Sequence, residues 1–201
     1  MATASPAKAA HDDLLLEPGK AELIGGRIVR YMAVGHRPNR VAGRIFRSLA
    51  EYAEQVGQGY AYTGSMGFAV PELTSGRQSF SPDASYDDGP LPANPMRFIE
   101  GPPKLAVEVR SEWDYTLSAE RQIAAKRLEY FEAGTPIVWD VDPIAGTITA
   151  YRSTAPDAPV VFAPGQVAES EPVVSGCRLD LCLIPAMHQG GTKPDRRDRT
   201  S

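Results

Sequence analysis

Residues 104–142 limit the possible folds more than any other stretch of this chain. Leu105, Val107 and Val109 alternate with Ala106, Glu108 and Arg110, a period of two that predicts a strand. A carboxylate among such apolar neighbours is costly unless a cation or hydrogen-bond donors meet it, so Glu108 stands out. Ile123, Lys126, Arg127, Tyr130 and Phe131 then recur at helical spacing, and Gly134 ahead of Pro136 is a helix stop. Ile137–Asp142 reads as a returning strand, ended by Pro143. A single connection of this length between two strands predicts a parallel pair with a right-handed crossover. Glu108 and Arg110, two apart, then share one strand face, and the helix can lay Lys126 near it.

A further carboxylate lies upstream, Asp83 in Ser-Pro-Asp-Ala-Ser-Tyr. An Asp, a Glu-x-basic pair on a strand and a lysine within reach are the parts of a Mg²⁺-dependent site that cleaves phosphodiesters. The segments SPDASY, PPKLAVEVRS, AAKRLEYFEAGTPIVWDVDP and TITAYRS carry the combination, extended by AELIGGRIV before and GCRLDLCLIP after. Together they resemble the Uma-two family of restriction-endonuclease-like proteins, within the PD-(D/E)XK nuclease superfamily, over residues 20–186.

The resemblance implies an α/β fold: a restriction-endonuclease-like central mixed β-sheet flanked by helices, with an N-terminal β-hairpin and one long helix. It implies DNA as substrate, and a homodimer in which each subunit cuts one strand. Lys126 matches the family's helical lysine, a water-orienting or charge-stabilising group. The superfamily's usual lysine, two residues after the Glu, is replaced here by Arg110. Arginine cannot act as a base but can clamp a phosphate bidentately. Glu22 matches an acidic position in the family's opening hairpin, near the metal; a solvated strand glutamate is the alternative. Tyr130, one turn beyond Lys126, and Ser111, just after the strand, are accessory candidates.

Phosphodiester hydrolysis needs a polarised phosphate, an activated water and positive charge at the transition state. Mg²⁺ takes oxygen ligands at about 2.0–2.1 Å and keeps several waters, so two carboxylates suffice as protein anchors. Asp83 and Glu108 suit Mg²⁺ or Mn²⁺, with the Val109 carbonyl as a third ligand. There is no Cys/His set with zinc spacing, no Gly-x-x-x-x-Gly-Lys loop and no dinucleotide fingerprint, so no nucleotide cofactor is expected. Of three histidines, His11 and His188 fall near the ends, which weakens a histidine general base.

With 201 residues, 42% of them hydrophobic, the chain can build one domain, placed at 19–187 between a mobile lead-in (1–18) and a disordered tail (188–201). Its formal net charge of −4 excludes indiscriminate coating of nucleic acid, so any such contact needs a local basic patch. Six arginines and no acid lie between Gly25 and Ala50. Four of them (Arg37, Arg40, Arg44 and Arg47) are spaced 3, 4 and 3 along a helix over 38–56 with an apolar stripe at Val41, Ile45, Leu49 and Tyr52. A solvated helix face and a phosphate-facing ridge both fit this stripe. His36, near the helix start where the family often has a histidine, reads as a phosphate contact or a capping residue.

Tyr60–Tyr62 and Met66–Pro71 read as a strand pair across Thr63-Gly64-Ser65, Glu72–Phe80 as a loop, and 89–103, with five prolines, as a long loop beside the cleft. Thr147–Tyr151 should pair with the strand before it, while Asp140 and Asp142 serve the strand end and turn. Cys177 and Cys182, an odd number apart, read as reduced core thiols rather than a disulfide. No apolar run nears the ~20 residues of a membrane span and no export signal is legible, so a cytoplasmic protein is expected. The leading expectation is a metal-dependent DNA endonuclease. The alternative is a catalytically weak or inactive nuclease-fold protein acting as a nucleic-acid-binding or dimeric interaction module.

Overall fold

A computed structural model of the protein describes residues 9–181. Its first elements are one helical turn, α1 (His11–Leu14), and a hairpin, β1 (Ala21–Ile24) and β2 (Arg27–Arg30). Leu14 is buried, and the hairpin docks on residues 76–79 through Leu23 N–H to Ser79 Oγ (2.7 Å) and Gln78 N–H to the Leu23 carbonyl (2.8 Å).

Helix α2 (His36–Val56) buries the stripe Val41, Ile45, Leu49 and Ala53. It starts two residues before the expected 38, because Gly35 supplies an extended N-cap, and stops at Gly57, whose φ of +66° lies in the left-handed region. Strand β3 (Tyr60–Thr63) follows, then the two-residue strands β4 (Phe68–Ala69) and β5 (Ser79–Phe80), then β6 (Ala84–Asp87), β7 (Ile99–Glu100) and β8 (Leu105–Val109). Helix α3 (Leu117–Ala133) begins where Thr116 Oγ1 accepts from Ala119 N–H at 3.1 Å and ends at Gly134. Strands β9 (Ile137–Asp142), β10 (Thr147–Arg152), β11 (Ala155–Phe162), β12 (Val167–Glu169) and β13 (Arg178–Asp180) complete the described chain.

The main sheet has the order β11-β10-β9-β8-β6-β3. Only β8 and β9 run parallel, joined by α3 as the strand–helix–strand spacing requires; the other pairs are antiparallel, so the sheet is mixed. Alternation along β8 and β9 divides the core. Leu105, Val107, Val109, Ile137, Trp139 and Val141 pack under the apolar stripe of α2. Ala106 and Val138 point the other way, into a cluster with Tyr130 of α3, Phe68, Phe80 and Ile99. Glu108 follows Ala106 on this second face.

The expected hairpin of β3 and β4 does not form. β3 pairs instead with β6, while β4 joins β5 and β7 in a separate three-stranded sheet. The segments expected as loops therefore contain β5 and β7, which satisfy their backbone groups against β4. Cys177 is buried, and burial pushes its thiol pKa up; Cys182 and the tail from 188 lie outside the described residues.

Candidate active site

The site begins as one row of side chains across three strands. The β6–β8 register aligns Ala84 with Val107, and one step further sets Asp83 across from Glu108. The β8–β9 register places Asp140 beside Glu108 on the other side. Asp83, Glu108 and Asp140 therefore share the face that α3 covers. Three neighbouring carboxylates repel one another unless each has a counter-charge. Asp83 Oδ1 takes Lys20 Nζ at 2.6 Å, and its Oδ2 accepts the Val109 N–H at 2.8 Å. Glu108 Oε1 takes Lys126 Nζ at 2.8 Å and the Tyr130 hydroxyl at 2.7 Å. Asp140 receives the Arg110 fork bidentately, at 2.8 and 2.7 Å.

The hairpin adds a fourth carboxylate. Glu22 is fully buried, 0% exposed, and accepts from Lys126 (3.1 Å), Tyr31 Oη (2.6 Å), Ser81 N–H (3.0 Å) and Arg77. Burial pushes its carboxyl pKa up, but Lys126, Arg77 and these hydrogen bonds outweigh it and hold the pKa at about 2. Lys126 thus bridges Glu22 and Glu108. Burial alone would lower its pKa, yet the two carboxylates raise it above the ordinary lysine value, so it is a permanent cation. Burial and Glu108 raise the Tyr130 phenol well above its ordinary value, keeping it a donor, and Phe80 stacks on its ring at 4.0 Å. Burial and Glu22 likewise push Tyr31 up to about 12. Arg77, 6% exposed, also pairs with Glu129 of α3 at 2.6 Å.

This row opens into a cleft of about 1020 Å³, lined by residues 31–38, by residues 108–114 and by residues of α3. Asp83, Glu108, Val109, Arg110, Ser111 and Lys126 all line it. Arg110 also pairs with Glu120 of α3, and Ser111 turns its N–H and Oγ onto Asp114 (2.6 and 2.7 Å). His36 and Arg37 reach the cleft mouth, where Arg37 Nε donates to the Pro143 carbonyl. Arg40 and Arg47 are exposed further along α2, with Arg47 paired to Glu51, and Arg44 is half-buried; none of these three lines the cleft.

Asp140 departs from its expected turn role. It is buried under Arg110, while Asp142 holds the turn by accepting from Ile144 N–H at 2.7 Å and Ala145 N–H at 3.0 Å. Lys20, Tyr31 and Arg77 are site residues that sequence reasoning did not find. Arg77 sits in Thr-Ser-Gly-Arg-Gln-Ser, a polar run that reads as solvated. Lys20 offered one signal, its place two residues before Glu22.

The model of one protein family, described as Uma2, putative restriction endonuclease, matches residues 11–182. No curated protein matches the sequence. Among solved structures, the fold is similar to that of a putative nuclease belonging to DUF820 from Anabaena variabilis ATCC 29413. The TM-score is 0.66 at 18% identity, over 86% of this chain and 95% of that one, a likeness of fold alone.

Proposed function

Because this chain belongs to the Uma2 family of putative restriction endonucleases, we propose that it is a metal-dependent endonuclease hydrolysing phosphodiester bonds in DNA. The observation that carries this reading is the row of Asp83 and Glu108 lining the cleft, backed by the Lys126–Glu22 pair.

The donor set suits a hard divalent cation such as Mg²⁺ or Mn²⁺. Asp83 and Glu108 offer carboxylate oxygens on one face of the sheet. The Val109 N–H points to Asp83, and in an extended strand a residue's carbonyl faces the same edge, which makes it a suitable third oxygen. Once bound, the ion would supply a polarised phosphate and a water of lowered pKa. Lys126 is held as a cation between Glu22 and Glu108. Its part is to orient the water by donating to it and to keep positive charge beside the phosphate. Tyr130 fixes the Glu108 carboxylate by donating to Oε1. Arg110 could clamp a phosphate by exchanging Glu120, its 46% exposed partner, while the 6% exposed Asp140 keeps hold of the guanidinium. Ser111, His36 and Arg37 would meet the flanking phosphates, with Arg40, Arg44 and Arg47 continuing that track along α2.

One observation favours the second reading, a nuclease fold that binds nucleic acid without cutting: each carboxylate of the row already has its own cation. Cleavage of supercoiled plasmid with Mn²⁺, Mg²⁺ or chelator separates the two. The expected result is metal-dependent nicking, reduced at least a hundredfold in Asp83→Asn and Lys126→Met. Salt-sensitive DNA binding with no nicking in any metal would leave only the binding module. A homodimer, with each subunit cutting one strand, belongs to the same proposal. Sedimentation at micromolar concentrations should give the dimer mass, and a monomer throughout would remove that part.

A further inference from the structure

Lys20 lies just ahead of the first hairpin strand, far in sequence from the catalytic segment, yet its ammonium sits 2.6 Å from Asp83 Oδ1. The pair is well shielded, with side chains 23% and 18% exposed. The placement is also built. Tyr31 N–H donates to the Lys20 carbonyl at 2.9 Å, which closes the base of the hairpin, and the Tyr31 ring lies 5.8 Å below the ammonium. Lys20 and Asp83 both line the cleft. Lys126, which also lines the cleft, is held by two carboxylates, Glu108 and Glu22, where Lys20 has one.

From this geometry we infer that Lys20 is an internal competitor for the Asp83 carboxylate, and that a divalent ion binds there only by displacing its ammonium. The inference rests on the metal-dependent reading of the site. An ammonium at contact distance competes with a metal ion for the lone pairs of a carboxylate, and two cations a few ångströms apart repel strongly where solvent is scarce. Lys20 therefore lowers the metal affinity of the free protein. The long lysine stem lets the displaced charge stay in the cleft, where a phosphate is the natural new partner. Substrate would then tighten metal binding by taking up Lys20, and metal would tighten substrate binding by the same factor.

Calorimetric titration of Mn²⁺ into wild type, Lys20→Met and Lys20→Arg tests this without reference to cutting, with far-UV circular dichroism and a thermal melt to check folding. Lys20→Met should bind Mn²⁺ about tenfold more tightly, a change of about 1.4 kcal/mol, and Lys20→Arg should stay near wild type. If wild type binds Mn²⁺ and Lys20→Met binds it equally or less well, Lys20 is no competitor, while the metallonuclease reading stands. Tightening of similar size in Lys20→Arg would also overturn the competition, because the charge is retained there. If wild type and Lys20→Met are both folded and neither binds metal, the metal-dependent reading fails and this inference fails with it.

Discussion

Glu22 has no contact with solvent and is nevertheless ionised, which is tolerable only because two cations, a phenol and a backbone N–H converge on it. Removing one member of such a buried set costs more than the set contributes, since the partners stay behind uncompensated. Glu22→Gln should therefore lower stability by roughly 3–5 kcal/mol at neutral pH, measured by urea unfolding. The pH dependence follows from the direction of the shift. The folded carboxyl titrates at about 2, below its usual 4.5, so its stabilisation is complete above 4.5 and is lost as pH falls towards 2. The gap between wild type and Glu22→Gln should accordingly narrow over that window and stay constant between pH 5 and 7. A gap that widens on acidification would mean that Glu22 is held neutral. At this scale the sequence was informative wherever a residue broke its local pattern. Glu108 is an acid within an apolar alternation, and Lys126 lies one turn from Tyr130 on the facing helix. Arg77 breaks no pattern, because a polar loop with an arginine is what solvent exposure also produces, and its burial depends on contacts some 50 residues away.

The elements that were legible are those with enough length to show a period and a cap. α2 shows its stripe from Val41 to Ala53 and α3 ends at a glycine before a proline, while β8, β9 and β10 each span five or six residues. The two-residue strands β4, β5 and β7 carry no period at all, and the Thr63-Gly64-Ser65 link resembles a hairpin turn although β3 finds its partner in β6. The junction of α2 and β3 provides a test. Gly57 and Gly59 both have positive φ, +66° and +72°. A methyl group at Gly57 meets open space, so Gly57→Ala should cost only the conformational penalty, about 1–2 kcal/mol. At Gly59 the same atom falls 2.5 Å from Tyr86 Oη and 2.8 Å from the Asp87 carbonyl, in the β3–β6 ladder. Gly59→Ala should be clearly the more destabilising in thermal unfolding; equal losses would place β3 elsewhere.

Over the whole molecule, the site is a meeting of separate segments. The hairpin and its flanks bring Lys20, Glu22 and Tyr31, the bend just before β6 brings Asp83, β8 brings Glu108, and α3 brings Lys126 and Tyr130. The main sheet aligns the acids, and the hairpin closes over them by docking on residues 76–79. The central fold and the place of Glu108 were readable because the parallel β8–α3–β9 unit is contiguous in sequence, while Asp83 came from the separate segment SPDASY. Lys20 and Arg77 were not readable, because they arrive through tertiary packing. Among the described residues no helix is long and apolar enough to cross a membrane. The most direct measurement is calorimetric titration of Mn²⁺ into wild type and Glu108→Gln, with plasmid nicking followed on the same samples. Binding and nicking in the wild type, both lost in Glu108→Gln, are the expected results. Nicking that survives in Glu108→Gln, or equal Mn²⁺ binding by both proteins, would contradict a catalytic metal held by Asp83 and Glu108.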